Sequence, residues 1–316
     1  MLLTNMCEND EKYMWRCLQL ARNGMNNAKP NPMVGAVIVH NDRIIGEGYH
    51  IRCGEAHAEV NAFASVNSKD EHLLHESTIY VSLEPCSHYG KTPPCAELII
   101  KKGVKRVVVG CIDPFAKVKG RGIEMIRNAG IEVTTGVLEK ECEELNKRFF
   151  TFHREQRPYI ILKWAQTSNG FIDNNFKPLA ISTEYTKMLS HKMRAEEDAI
   201  LVGRTTDERE HPQLTVREWH GSNPKRIVLT HDLPLEKLAN DLYCQDVQSL
   251  IVEGGAITHT SFINAGLWDE IRVETAPIVA DNGTKAPALP EGIVLHSHIT
   301  TDGNTISTYR KAEITT

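Results

Sequence analysis

The sequence lacks any apolar run close to the roughly 18 residues that a membrane-spanning helix needs. Its first fifteen residues, MLLTNMCENDEKYMW, also lack the basic segment followed by an apolar one that is typical of an export signal. We therefore expect a cytoplasmic protein that does not bind a membrane. Cysteines are sparse, at 8 in 316 residues, which excludes a small disulfide-stapled scaffold and favours reduced thiols.

Neither half of the chain carries an excess of basic residues. Residues 1–150 hold 19 Lys and Arg against 19 Asp and Glu, so the net charge of −5 arises entirely in the second half. A nucleic-acid partner usually requires a basic excess, and the composition argues against one. The sequence also lacks internal repeats, low-complexity segments and a G-x-G-x-x-G motif after any strand, so the usual Rossmann fingerprint is absent.

The length of 316 residues, 41% of them apolar, suits two globular domains. Apolar β-like runs alternate with helical patterns in both halves, which predicts sheets covered by helices. Pro158 follows a charged helical segment, so we predict a boundary at 153–158. The predicted strands are GAVIVH, RIIGEGYH, STIYVSLEP, KRVVVGCID, IEVTTG, YIILKWAQT, DAILVG, KRIVLT, QSLIVEGG and DEIRVETAPIV, with a final pair around the turn at 302–304. The predicted helices are near 14–21, 56–66, 95–102, 122–129, 183–196 and 258–265.

The first half contains the residue types of a zinc site in a fixed order. HAEVNA places His57 and Glu59 at a predicted helix start, EPC places Cys86 at a strand end, and Cys95 opens the next helix. One imidazole and two thiolates leave a tetrahedral zinc one open position for water, whose pKa bound zinc lowers to about 7. Glu59 is then free to move protons between that water and a substrate nitrogen. This H-x-E with P-C…C order is typical of zinc nucleobase deaminases.

Each of these residues alone has a plainer interpretation. His57 would be an ordinary core histidine, and the cysteines would be small apolar residues. The four residues together, in this order and at element ends, favour the zinc site.

The segment CSHYGKTPPC separates its two cysteines by eight residues, whereas the common deaminase spacing is C-x-x-C. The insert carries His88 and Lys91, which suit hydrogen bonding to a polar substrate and charge pairing with a phosphate. We therefore predict that this loop binds substrate as well as metal. A solvated lysine with no ligand is the alternative.

PNPMVG, GEGYH, GEAHAEV, SLEPCSHYGKTPPC and DPFAKVKGRG resemble the deaminase half of the bifunctional riboflavin-biosynthesis deaminase/reductase of bacteria. The resemblance implies a cytidine-deaminase-like three-layer α/β/α domain, which we place at residues 1–152, acting on a ribosyl-pyrimidine phosphate. It further implies the zinc ligands His57, Cys86 and Cys95, the catalytic Glu59, and the substrate-binding positions Asn31, His50, His88 and Lys91.

In the second half, an apolar strand runs into Gly254-Gly255 and a helix, where backbone amides could hold a phosphate; a plain turn is the alternative. RAEEDAILVGRTT, HPQLTVR and VEGG are similar to the reductase half of the same family. This similarity implies a dihydrofolate-reductase-like α/β domain over residues 158–316 that uses NADPH. It implies substrate positions at Lys163, Arg194, Leu214, Arg217 and Glu253, and cofactor positions at Thr206, Glu210, Gly255, Ala256, Ile257 and Thr258.

The second half also departs from the family pattern. TSNG at 167–170 replaces S-x-D-G, and EHP at 210–212 replaces D-D-P. Asn169 and Glu210 therefore stand where the family has aspartate, and Glu210 keeps the charge on a longer side chain. The segment between Gly170 and Ile181 lacks the family's common tryptophan or a similar cofactor contact.

The leading hypothesis is a cytoplasmic, homo-oligomeric enzyme with zinc and NADPH. It would deaminate 2,5-diamino-6-(5-phosphoribosylamino)pyrimidin-4-one, a small-molecule substrate, and then reduce the ribosyl group to ribityl. One alternative is a deaminase with a degenerate reductase domain. A deaminase of nucleic-acid bases is disfavoured by the neutral first half and the long loop. A zinc-stabilised binding protein is disfavoured because a structural zinc site needs four protein ligands and no proton shuttle.

Overall fold

The computed structural model of the chain describes residues 2–89, 93–115, 119–177 and 179–312, with side chains from residue 8 onward. The chain forms two compact units, which divide between Glu155 and Gln156. Each unit has one sheet with its own helices. In the part of the chain that the structure describes, no helix combines the length and apolar character needed to cross a membrane.

The first unit is a five-stranded mixed sheet with helices on both faces. Its strands, in the spatial order β2-β1-β3-β4-β5, are β1 (Gly35–His40), β2 (Arg43–Tyr49), β3 (Thr78–Leu83), β4 (Arg106–Cys111) and β5 (Glu132–Thr135). Its helices are α1 (Leu2–Ala21), α2 (Ala58–Ala64), α3 (Cys95–Lys102), α4 (Arg121–Asn128), α5 (Glu139–Leu145) and α6 (Lys147–Glu155). Strands β3, β4 and β5 are parallel, and β1 is antiparallel to β2 and β3.

Alternate side chains of the central strands enter two separate cores. On β1, Ala36 and Ile38 pack in the core that contains α2, whereas Val37 and Val39 pack in the core that contains α1. The alternation arises because successive side chains of a strand point to opposite faces. Both faces of the sheet are therefore buried, which explains why strands such as GAVIVH read as continuous apolar runs. The predicted three-layer arrangement is confirmed.

The second unit is a seven-stranded mixed sheet. Its strands, in the spatial order β11-β12-β10-β6-β9-β7-β8, are β6 (Tyr159–Thr167), β7 (Ala199–Gly203), β8 (Lys225–Leu229), β9 (Ser249–Val252), β10 (Glu270–Ala276), β11 (Ile293–Thr301) and β12 (Asn304–Lys311). Its helices are α7 (Glu184–Glu196), α8 (Arg204–Glu210), α9 (Leu235–Tyr243) and α10 (Ala256–Asn264). The five neighbouring strands β8, β7, β9, β6 and β10 are parallel to one another. Strand β12 is antiparallel to β10, and β11 is antiparallel to β12.

The parallel strands of this unit place a potential ligand site at the edge of the sheet where their carboxyl ends lie. Ile160 and Leu162 of β6 pack in one core and Ile161 in the other, so the centre of the sheet is filled by apolar side chains. The carboxyl ends of parallel strands lie at one edge of a sheet, where the following loops and helix starts meet. The turns after β7 and β9 meet at this edge.

The sequence reasoning missed two helices of the second unit. Helix α9 buries Leu238, Ala239 and Leu242. Leu242 lies four positions after Leu238 and three after Ala239, a spacing that is typical of one face of a helix and that could have predicted α9. Helix α8 buries no residue, so it has no apolar period that a sequence pattern would reveal.

Candidate functional site

Three side chains from separate elements meet at the starts of α2 and α3. His57 immediately precedes α2, Cys86 follows β3, and Cys95 is the first residue of α3. The His57 Nδ1 lies 3.5 Å from the Cys86 Sγ and 3.3 Å from the Cys95 Sγ. Around a tetrahedral zinc the N–S separation is roughly 3.5 Å, from bonds of about 2.0 and 2.3 Å. All three ligand atoms lie within 4.8 Å of one another, so the donor set fits zinc.

Glu59 lies beside these donors in the first turn of α2 and is only 3% exposed. Burial, followed by the negative charge of Cys86, raises the pKa of Glu59 to about 7. Interactions with Cys95 and His57 lower the pKa of the Cys86 thiol to about 4. Its partner Cys86 and burial raise the pKa of the Cys95 thiol, so the site joins one easily deprotonated thiol to a buried carboxyl that is not one of the three donors.

Asn31 and His50 form a hydrogen-bonded pair next to the donors. The His50 Nδ1 lies 3.1 Å from the carbonyl oxygen of Ala56, and its Nε2 lies 3.1 Å from the Asn31 Nδ2. Because a carbonyl oxygen only accepts, the Nδ1 carries the proton and the Nε2 accepts from the Asn31 amide. Burial lowers the pKa of His50, which favours this neutral form. The His50 ring lies 5.4 Å from the His57 ring, edge to face.

The long loop between the two cysteines is described only in part. Lys91 lies outside the described residues, so the structure does not test its predicted role. His88 is exposed, whereas Asp113, after β4, is buried, and burial raises the pKa of its carboxyl to about 6.

Glu84, two residues before Cys86, is a buried carboxylate that the sequence reasoning missed. It accepts hydrogen bonds from the backbone N–H groups of Gly120 at 2.9 Å, Gly122 at 3.0 Å and Asp113 at 3.3 Å. These bonds tie the loop between β4 and α4 to the end of β3, next to the metal donors. A glutamate at the end of an apolar strand was the available signal.

The second unit contains a cavity of about 930 Å³ at the carboxyl edge of its parallel strands. Leu214 lies apart from it, in a neighbouring cavity of about 410 Å³ that Arg194, Glu210 and Arg217 also line. The other predicted reductase residues all line the larger cavity: Lys163, Arg194, Thr206, Glu210, Arg217, Glu253, Gly255, Ala256, Ile257 and Thr258.

Arg194 and Glu253 form a buried, bidentate ion pair in the cavity wall. The Arg194 Nε and Nη2 lie 3.0 and 2.6 Å from the two carboxylate oxygens, and the Nη1 donates to the carbonyl of Thr215 at 3.2 Å. Burial alone would raise the pKa of Glu253, but Lys163 and Arg194 outweigh it and lower that pKa. Glu253 is therefore an anion held between two cations, and the Arg194 guanidinium already has partners.

The glycines around the cavity make room for one threonine. A Cβ at Gly254 would lie 2.8 Å from the Thr258 Cβ, and a Cβ at Gly203 would lie 2.3 Å from the Thr258 Oγ1. Gly255 immediately precedes α10, whose first backbone N–H groups have no intrahelical partner. These amides and the Thr206 hydroxyl border the same part of the cavity.

The two positions that depart from the family pattern have different environments. The Asn169 Nδ2 donates to the Ala280 carbonyl at 2.8 Å, and its Oδ1 accepts from the Thr167 hydroxyl at 2.8 Å and the Ala280 N–H at 3.2 Å. The Asn169 side chain thus connects two loops through hydrogen bonds. An aspartate at this position could not donate the hydrogen bond to the Ala280 carbonyl. Glu210 lines the cavity, where burial and the charge of Asp173 raise its pKa.

The fold and the sites define a class of protein: a cytidine-deaminase-like zinc enzyme joined to a second α/β domain with its own ligand cavity. Residues 7–111 match the family model for the cytidine and deoxycytidylate deaminase zinc-binding region, and residues 158–304 match the RibD C-terminal domain. The chain is 37% identical over 321 residues to the riboflavin biosynthesis protein RibD of Aquifex aeolicus, covering 87% of this chain and 89% of the relative.

Two further relatives cover nearly the whole chain. RibD of Bacillus amyloliquefaciens is 37% identical over 332 residues, covering 90% of this chain and 88% of the relative. A Thermotoga maritima crystal structure, described as a diaminohydroxyphosphoribosylaminopyrimidine deaminase/5-amino-6-(5-phosphoribosylamino)uracil reductase, superimposes with a TM-score of 0.90 at 32% identity. That superposition covers 97% of this chain and 100% of the other.

The chain belongs to the RibD family, and it is a bifunctional deaminase and reductase of riboflavin biosynthesis. Its first unit is a zinc-binding deaminase domain. The predicted family, the two α/β domains and the pair of activities are thereby confirmed. The alternative of a deaminase with a degenerate reductase is not favoured.

Proposed function

We propose that His57, Cys86 and Cys95 hold the zinc ion and that Glu59 is the catalytic proton carrier of the deaminase. The observation that carries this proposal is the convergence of the three donors at zinc-like separations beside a buried carboxyl that is not a donor. Zinc bound there would supply an activated water by lowering its pKa to about 7.

Glu59 lies where it can both accept a proton from the attacking water and donate a proton to the substrate. It accepts a proton from the attacking water and passes it to the ring nitrogen next to the reacting carbon. The water oxygen bonds to that carbon as a hydroxyl group. Glu59 then takes the remaining proton of this hydroxyl and passes it to the amine, so the carbon–amine bond breaks and ammonia leaves as the carbonyl forms. The products are the pyrimidine carbonyl and ammonia.

We propose that the deaminase substrate is 2,5-diamino-6-(5-phosphoribosylamino)pyrimidin-4-one. Asn31 and His50 lie next to the metal donors and would bind the polar ring, with His88 from the long loop. Lys91 would pair with the phosphate of the ribosyl group. The Thermotoga maritima enzyme, described as a deaminase and reductase of this pyrimidine and its product, supports this choice.

We propose that the cavity of the second unit binds the deaminated product together with NADPH. NADPH would supply a hydride to the ring-opened ribosyl carbon, which becomes the end of a ribityl chain. Thr206, Glu210 and residues 255–258 border the cofactor part of the cavity, where free amides of α10 suit its phosphates. Lys163, Arg217 and Glu253 border the substrate part, with Leu214 behind it.

One incubation tests both steps. The pure protein is supplied with the diaminopyrimidine ribosyl phosphate, with and without NADPH, and the products are identified by mass. Without NADPH we expect replacement of one amine by oxygen; with NADPH we expect the further gain of two hydrogens. Deamination without any reduction would overturn the reductase proposal, and NADH acting as well as NADPH would overturn the cofactor choice.

We also propose limits for the two domains, residues 1–152 for the deaminase and 158–316 for the reductase. The division of the chain after Glu155 and the RibD C-terminal match from residue 158 support these limits.

We further propose that the protein is a cytoplasmic homo-oligomer that binds no nucleic acid. Light scattering of the purified full chain tests the oligomer, and a monomer at micromolar concentration would contradict it.

A further inference from the structure

The side chain of Asn146 binds the backbone of one distant residue of the first unit, Met33. The Asn146 Oδ1 accepts from the Met33 N–H at 2.8 Å, and the Asn146 Nδ2 donates to the Met33 carbonyl at 2.9 Å. A backbone N–H only donates and a carbonyl only accepts, so these partners fix the orientation of the amide. A carboxylate in its place could not make the donated bond. The neutral donor and acceptor of an amide therefore match both backbone groups of Met33 at once.

Asn146 is held in place by the two helices that it joins. It follows α5 and precedes α6. Its N–H donates to the Glu143 carbonyl at 3.0 Å, and its carbonyl accepts from the Phe150 N–H at 2.9 Å. Cys142 of α5 and Phe150 of α6 are buried in the same core, and only 4% of Asn146 is exposed. The amide thus extends from a packed part of the fold to Met33.

Met33 lies two positions after Asn31, which we propose as a substrate-binding residue. Pro32 stands between them and has no N–H, so Met33 is the first residue after Asn31 whose backbone can both donate and accept. On the other side, the Asn31 N–H donates to the Ala28 carbonyl at 2.9 Å. The Asn31 Nδ2 lies 3.1 Å from the His50 Nε2. The bonds to Met33 therefore hold the carboxyl side of the short segment that carries Asn31.

We propose that Asn146 is a positioning residue of the deaminase, which holds Asn31 in place for the substrate ring by binding Met33. The proposal rests on the proposed deaminase function and on the role of Asn31 in it. Asn146 and Met33 are 113 positions apart, so no local motif links them. Without these two hydrogen bonds the segment samples other conformations. Only the fraction of molecules with Asn31 in place then binds substrate well, and the apparent Kd rises by the inverse of that fraction.

The test compares Asn146→Ala with Ser77→Ala. Ser77 is a matched control, because it is buried in the same unit and its hydroxyl donates to the Leu73 carbonyl at 2.7 Å. It lies directly before β3, at the opposite end of that strand from Cys86. Two neutral hydrogen bonds together change an equilibrium by roughly 5-fold to 150-fold, so the deaminase KM of Asn146→Ala should rise by this order. Its kcat, zinc content and reductase activity should stay near wild type, and Ser77→Ala should keep the wild-type KM.

A double-mutant cycle separates positioning from a general loss of stability. Asn31→Ala removes the group that Asn146 is expected to place, so Asn146→Ala should raise KM much less in that background than in the wild type. Fold-changes that simply multiply would overturn the proposal, as would an equal rise of KM in Ser77→Ala. Asn146→Ser, whose short hydroxyl cannot bond both groups of Met33, replaces the alanine variant if that variant does not fold.

Hydrogen exchange of the Met33 and Asn31 amides in the full chain reports these contacts without turnover. Both amides should be protected in the wild type, and the Met33 amide should exchange roughly 5-fold to 150-fold faster in Asn146→Ala. Unchanged exchange in the variant would overturn the proposal. A wild type that does not deaminate the substrate would count against the proposed deaminase function, whereas exchange at these two amides would still decide whether Asn146 holds the segment.

Discussion

Glu59→Gln is expected to separate metal binding from proton transfer in the deaminase. Glutamine has nearly the same shape as glutamate and fits the same buried position, where only 3% of Glu59 is exposed. It cannot carry a proton between water and substrate. His57, Cys86 and Cys95 remain to hold zinc, so the metal content should stay at one ion per chain.

The size of the defect follows from the role of the carboxyl. Loss of a positioned general acid and base typically costs about 10²-fold to 10⁴-fold in rate, or roughly 3 to 5 kcal/mol of transition-state stabilisation. Glu59 is asked to transfer protons twice in each turnover, so we expect kcat to fall by at least ~10²-fold. The variant places no charge in the buried position, so its melting temperature should not fall.

The assay uses the second activity of the chain as an internal control. Deamination is followed by ammonia release, reduction is followed by NADPH consumption with supplied deaminated intermediate, and zinc is measured by elemental analysis. Glu71→Gln, at an exposed position of the same unit, serves as the matched control. Equal loss of both activities would indicate misfolding or a shared site. Loss of zinc would show that Glu59 is a ligand, and deamination above a tenth of wild type would refute the shuttle.

Three further predictions concern other parts of the chain. Asn169→Asp removes the N–H donor to the Ala280 carbonyl, so the free energy of unfolding of the second unit should fall by about 1 kcal/mol. Its melting temperature should fall by roughly 2 to 4 °C while the reductase KM values stay unchanged. An unchanged melting temperature would contradict this prediction. Burial lowers the pKa of His259 to about 4, so the unfolded chain, whose histidine titrates near 6.5, takes up the extra proton and stability falls as pH drops from 6.5 to 4. His259→Phe should flatten this acid decline, by roughly 3 kcal/mol at most, in urea unfolding of the second unit; a variant with the wild-type decline would refute the assignment. Lys91→Ala should lower deaminase kcat/KM by about 5-fold to 150-fold and keep zinc bound, with the defect shrinking in high salt; equal effects on phosphorylated and unphosphorylated substrates would exclude a phosphate contact.

The sequence by itself determined the features that depend on local chemistry. The order H-x-E, P-C and C predicted a zinc donor set, because ligand type and placement at element ends are written directly in the chain. Asn41 and Asp42, with positive φ angles of 46° and 59°, form the tight turn between β1 and β2, and these side chains tolerate the left-handed region. The continuous apolar runs likewise predicted strands buried on both faces.

Only the tertiary structure decided which distant groups meet. Arg194 of α7 pairs with Glu253, which directly follows β9 and lies 59 positions later in the chain. The two meet because the strands of this mixed sheet have a spatial order that differs from their sequence order. Asn169 forms its hydrogen bond with Ala280, 111 positions later, for the same reason. Spacing along the chain does not encode such partners, because strand order is selected by the packing of whole elements.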